Sequence, residues 1–182
     1  MKKVYAFIAD GSEEVECLTV TDILKRGGVD VTLVSVGGKE IISSHGVRII
    51  TDETLNNVDL SDCDMLFLPG GMPGTLNLGK SELLMSEVLR AVNSGKRVSA
   101  ICAAPLLLGR LGLLQEKKAT CFPGFESELV GAKVVTEGVV TDGLITTARG
   151  LGFALDLGLE LLALLQGKEI MEKVKSAVQY RY

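Results

Sequence analysis

Short apolar runs alternate with longer stretches of helical period from one end of the chain to the other. Residues 4–9, 31–35, 65–68, 98–101 and 144–147 read as strands, and the first, third and fourth are the most continuously apolar, as parallel strands covered on both faces are. Apolar positions three and four apart predict helices over 13–26, 81–94, 104–111, 151–165 and 168–178. Gly27 and Gly28 stop the first helix, and Gly167 separates the last two. Strands and helices in alternation predict an α/β protein, a mostly parallel sheet with helices on both faces.

Two hairpins interrupt this rhythm. Val139-Val140-Thr141-Asp142-Gly143-Leu144-Ile145 reads as a hairpin with an Asp-Gly turn, and residues 37–50 as a smaller one turning near His45-Gly46. No repeat, low-complexity segment or linker breaks the chain, so residues 1–182 are expected to form a single domain.

Composition narrows the class. The chain is 47% hydrophobic and 23% charged with a net charge of −4, the profile of a globular protein able to bury a core without staples. No basic stripe stands out, so no nucleic acid or anionic membrane surface is expected as a partner. The N-terminal apolar run meets Asp10 too soon for a signal peptide, and no stretch is long enough to span a bilayer. Cys17, Cys63, Cys102 and Cys121 lack the paired spacing of a zinc site or redox dithiol, and His45 is the only histidine. Free thiols in a reducing, cytoplasmic setting are expected, with no metal and no cofactor.

Three predicted strand ends carry residues that a turn alone does not need. In Ala100-Ile101-Cys102-Ala103-Ala104-Pro105 a buried strand passes at once into a helix, so Cys102 is expected at a nucleophile elbow over the sheet edge. The helix N-terminus beyond it would favour the thiolate. After the first strand, Glu16 heads the stripe Val20, Ile23, Leu24 and Gly27, which predicts a desolvated carboxyl that keeps a proton. Glu13 and Glu14 are explained by the helix dipole. After the third strand, Gly70-Gly71 lacks the Lys or Ser of a phosphate loop; the N–H of Gly71, with that of Ala103, would instead form an oxyanion hole. His45 reads as a solvated turn residue, with a place on the substrate-binding rim as the alternative, and Cys121 is expected near the crevice.

Gly11-Ser12-Glu13-Glu14-Val15-Glu16, Leu68-Pro69-Gly70-Gly71, the elbow around Cys102, and Thr147-Ala148-Arg149-Gly150 together resemble the ThiJ/PfpI superfamily, specifically its parkinsonism-associated deglycase branch. The resemblance covers essentially the whole chain. It implies a flavodoxin-like three-layer sandwich related to class I glutamine amidotransferases, in a homodimer with Arg26 near its interface. It places the oxidisable nucleophile on Cys102, its protonated partner on Glu16, and the oxyanion-side glycines on Gly70 and Gly71. The implied activity is a cofactor-free glyoxalase or deglycase acting on methylglyoxal, glyoxal or glycated adducts, linked to carbonyl and oxidative stress. A redox-sensing or chaperone role through Cys102 is the alternative, and peptidase or amidase activity a distant third. Protease-like members carry histidine where this chain has Ala103. Some members of the branch carry histidine where this chain has Phe122, which makes that pocket wall more apolar, and arginine where it has His45.

Overall fold

The computed structural model describes residues 1–181. The chain opens with β1 (Lys3–Ile8), α1 (Glu14–Arg26) and β2 (Asp30–Ser35), then a hairpin of β3 (Glu40–Ile42) and β4 (Arg48–Ile50) and a short β5 (Glu53–Thr54). Next come β6 (Met65–Leu68), α2 (Gly74–Gly79), α3 (Glu82–Asn93), β7 (Arg97–Ile101) and α4 (Pro105–Arg110). A small pair, β8 (Lys118–Ala119) and β9 (Lys133–Val134), precedes the strands β10 (Val139–Asp142) and β11 (Ile145–Ala148) and the helices α5 (Ala154–Gln166) and α6 (Lys168–Ala177).

The main sheet runs β10-β11-β7-β6-β1-β2-β5, parallel throughout except for β10 on the edge. Its inner order β2-β1-β6-β7-β11 is the doubly wound flavodoxin-like arrangement, which reverses direction between β1 and β6. All four residues of β6 are buried because both faces are covered. Leu66 and Leu68 pack with Leu84, Val88 and Leu107 of α3 and α4, while Met65 and Phe67 pack with Ile23, Leu24 and Leu161 of α1 and α5. Fully burying each such side chain contributes roughly 1.5–3 kcal/mol, so β6 is anchored from both layers. The expected three-layer sandwich is present.

Local departures have physical causes. Asp142 pairs directly with Ile145, so the hairpin turns on Gly143-Leu144 rather than on Asp-Gly, with Gly143 at φ +64°. Residues Leu151–Phe153 form one 3-10 turn before α5 starts at Ala154. Helix α2 and strands β5, β8 and β9 are too short to display a period. Helix α1 comes so close to α5 that a methyl group on Gly27 would sit 2.1 Å from Leu162 Cδ1. Among the described residues, no helix is long and apolar enough to cross a membrane.

Candidate active site

The strand-order reversal opens a crevice at the carboxyl ends of β1, β6 and β7, and the three segments singled out above all end there. Cys102 follows β7 directly with φ +65°, one of three non-glycine residues at positive φ among those described. Such a conformation costs about 1–3 kcal/mol and persists only when its surroundings hold it. Here the Cys102 N–H donates to the Ala148 carbonyl at 2.9 Å, and its carbonyl accepts the Phe122 N–H at 2.8 Å. The elbow is thus pinned at both ends of one residue, and the side chain is half-buried.

Glu16 arrives from α1. Glu13 caps that helix by accepting the Glu16 N–H on Oε2 at 2.6 Å, and the stripe Glu16, Val20, Ile23, Leu24 turns inward. The Glu16 residue is 1% exposed. Its Oε2 accepts the Gly70 N–H at 2.9 Å, and its carboxyl lies beside Cys102, so close that a methyl group on Gly70 would meet both. Burial pushes the Glu16 carboxyl up to about 7, against the opposing influence of Cys102 and the hydrogen bond from the Gly70 N–H. Burial and then the Glu16 carboxylate push the Cys102 thiol up, while the N–H groups of Gly71 and Ala103 pull it down. Two negative charges in this desolvated contact repel strongly, so a proton on Glu16 relieves the sulfur of its main charged opponent.

The structure brings together five of the expected site residues: Cys102, Glu16, Gly70, Gly71 and Ala103. One expectation needs correction. The N–H groups of Gly71 and of Ala103, just before helix α4, do pull the sulfur toward the thiolate, but burial and Glu16 outweigh them, so the thiol is raised and not lowered overall. Glycine at 70 is demanded by space, because a methyl group there would lie 2.5 Å from Cys102 Cβ and 2.7 Å from Glu16 Oε2. Gly71, at φ +87°, lies against the backbone of Gly11, Ser12 and Glu13. Phe122 is exposed beside the elbow, and Cys121 is buried. His45 sits at the tip of the β3–β4 hairpin, with Nδ1 3.3 Å from Glu14 Oε2 and 3.8 Å from Glu13 Oε1.

Ser12 and Ala148 lie within the family motifs, where the sequence assigns them no role, yet they brace the site. Fully buried Ser12 accepts the Ala9 N–H on Oγ at 3.0 Å, and its carbonyl accepts the Ser44 N–H at 2.8 Å, fastening the hairpin to the β1–α1 loop. Its place in the motif Gly11–Glu16 is the signal that could have marked it. Glu13, Glu14 and His45 converge closely enough to hold a cation, but Glu13 already accepts from Glu16 and Glu14 from Ser44 Oγ. A cavity of about 320 Å³ between α5 and α6, lined by Val139, Asp156, Met171 and Tyr180 among others, shares no residue with this site.

The sequence matches the DJ-1/PfpI family over residues 2–164. It is 37% identical to protein DJ-1 homolog B of Arabidopsis thaliana over 99% of this chain, which spans only 42% of that relative's length. A Caenorhabditis elegans relative named glutathione-independent glyoxalase DJR-1.2 is 29% identical over 88% of this chain and 86% of its own. The solved structure of oxidized Toxoplasma gondii DJ-1 superposes with a TM-score of 0.96 at 31% identity, covering all of both chains. By motif, fold and these likenesses, the chain belongs to the DJ-1/PfpI family, in its DJ-1 branch.

Proposed function

We propose that the chain is a cofactor-free, cysteine-dependent enzyme that converts 2-oxoaldehydes such as methylglyoxal and glyoxal, or their glycation adducts. The observation that carries this reading is the buried Glu16 carboxyl set beside Cys102, so close that a methyl group on Gly70 would meet both, at a sulfur that also faces the N–H groups of Gly71 and Ala103. With Glu16 protonated and Cys102 ionised, the thiolate adds to the aldehyde carbon. The S–C bond forms and the carbonyl π pair moves to oxygen, which is stabilised by the Gly71 and Ala103 N–H groups and then takes the Glu16 proton. Glu16, now a carboxylate, removes the C1 proton and returns it to C2, while the hydroxyl proton passes from the C1 oxygen to the C2 oxygen. The ketone carbon becomes a hydroxyl carbon and C1 a thioester. Water cleaves the thioester, releasing the 2-hydroxy acid (lactate from methylglyoxal) and restoring the thiol.

The C. elegans relative named as a glyoxalase supports this chemistry. The test is lactate formation from methylglyoxal by the wild type and Cys102→Ser, without added thiols. Turnover lost in Cys102→Ser is the expected result; equal turnover in both overturns the mechanism.

A second reading, redox sensing by the same sulfur, rests on Cys102 being the one cysteine that is not buried. Two equivalents of peroxide would add two oxygens to it, through sulfenic to sulfinic acid, each leaving as water. Oxidation of Cys17, Cys63 and Cys121 at the same rate would refute it. We also propose a homodimer, supported by exposed apolar side chains on α1 (Val15, Leu18) and on the hairpin bonded to its entry loop (Ile42, Val47, Ile50). Sedimentation at micromolar concentration checks this, and a monomer there overturns it.

A further inference from the structure

Phe122 is 47% exposed beside the pinched elbow. Its N–H is held by the Cys102 carbonyl, and its ring lies on the backbone just past β11, where a methyl group on Gly150 would be 3.2 Å from Cδ2. The same segment supplies the Ala148 carbonyl that fixes the Cys102 N–H. The ring is therefore tied to both segments that hold the nucleophile. On the β6 side of the sulfur, Met72 is 44% exposed directly after Gly71. Leaving a phenyl ring and a thioether in water on the segments that flank the thiol is unfavourable, and a ligand whose own apolar group covers them recovers that free energy. The strongest influences on the sulfur are burial, Glu16, and the Gly71 and Ala103 N–H groups; none is a cation that would hold an anionic substituent.

We propose that Phe122, with Met72, forms an apolar subsite for the substituent of the reacting aldehyde. The preferred substrates are 2-oxoaldehydes bearing an aromatic or branched apolar group. Phe122 is then a specificity-determining residue. The inference rests on the reading that Cys102 attacks 2-oxoaldehydes.

Two arms test it. In the first, kcat/KM is measured for phenylglyoxal and methylglyoxal in the wild type, Phe122→Ala and Phe122→Leu. The ratio of the two values does not depend on the fraction of folded protein. Covering about half of an aromatic ring corresponds to about a tenfold preference. The phenylglyoxal-to-methylglyoxal ratio is expected to fall about tenfold in Phe122→Ala and much less in Phe122→Leu. The second arm needs no turnover: alkylation of Cys102 by N-phenyl iodoacetamide and by iodoacetamide, in which the S–C bond forms as iodide leaves. The rate ratio of the two reagents should exceed that of N-acetylcysteine and return to it in Phe122→Ala. Ratios unchanged by Phe122→Ala in both arms overturn the subsite, even if 2-oxoaldehydes are turned over. If neither aldehyde is turned over beyond Cys102→Ser, the glyoxalase reading fails, and the alkylation ratio decides the subsite by itself.

Discussion

The Gly70 N–H donates to Glu16 Oε2 across 2.9 Å, and the volume a side chain at 70 would need is already occupied by Glu16 and Cys102. One backbone amide thus fixes the carboxyl, and one missing methyl group lets carboxyl and sulfur meet.

Gly70→Ala should separate them. The added carbon would sit 2.5 Å from Cys102 Cβ and 2.9 Å from the Ile101 carbonyl oxygen, and that carbonyl belongs to backbone that cannot swing aside. A loss of about 1–3 kcal/mol in stability is expected from such overpacking. Turnover of methylglyoxal should fall about 100-fold, as displacement of a reacting group by an ångström commonly costs. Urea midpoints and kcat measure the two effects, and full activity in Gly70→Ala would show that the contact is not needed.

Glu16 makes stability depend on pH. Its carboxyl titrates near 7 in the folded protein against an ordinary 4.5, so between these values the native state holds a proton that the unfolded chain has released. Stability therefore falls as pH rises from 4.5 to about 7 and is flat above, a total loss of about 3 kcal/mol. Glu16→Gln keeps an oxygen for the Gly70 N–H and cannot ionise. It should be more stable than the wild type at pH 8 and level with it near pH 4.5. Denaturation curves across that range decide, and parallel pH profiles would show that Glu16 does not carry the slope.

Much of this architecture was legible in the residues. The buried run of β6 needed no context, because covered parallel strands show continuous apolarity. Cys102 stood out because a strand running straight into Ala-Ala-Pro leaves no room for a loop. Glu16 was separable from Glu13 and Glu14 only because it heads the inward stripe of α1. Other features belong to tertiary structure alone. Ser12 is decisive through the Ala9 N–H it satisfies, and Ala148 through a carbonyl that any residue would have offered. The Gly143-Leu144 turn depended on pairing register, which periodicity does not encode.

Ser12 gives a test of that hidden bracing. Ser12→Ala removes the acceptor from the buried Ala9 N–H at the end of β1 and adds nothing in its place. An unpaired buried donor costs about 1–3 kcal/mol, so the urea midpoint should drop accordingly. Amide exchange at Ala9 should accelerate beyond what global destabilisation predicts. Unchanged exchange there would mean that the N–H finds another partner.

The four cysteines differ enough in environment to be told apart by one reagent. Burial pushes the thiols of Cys17, Cys63 and Cys121 up, that of Cys121 to about 11, and shields all three from solvent. Cys102 is also pushed up, but it alone is partly open, and it alone has backbone N–H groups aimed at its sulfur. Access is what separates them, since Cys102 is pushed up at least as far as Cys121, so native protein should take a single iodoacetamide label, at Cys102. In denaturant all four should react. Glu16→Gln tests the partner's part in this selectivity: it removes the carboxylate's repulsion and should raise the Cys102 rate at pH 8, where wild-type Glu16 is mostly charged. A slower rate in Glu16→Gln at that pH would show that the carboxylate assists the sulfur by accepting its proton. A second native label at Cys121 would instead show that the segment bonded to the Cys102 carbonyl opens on the timescale of labelling.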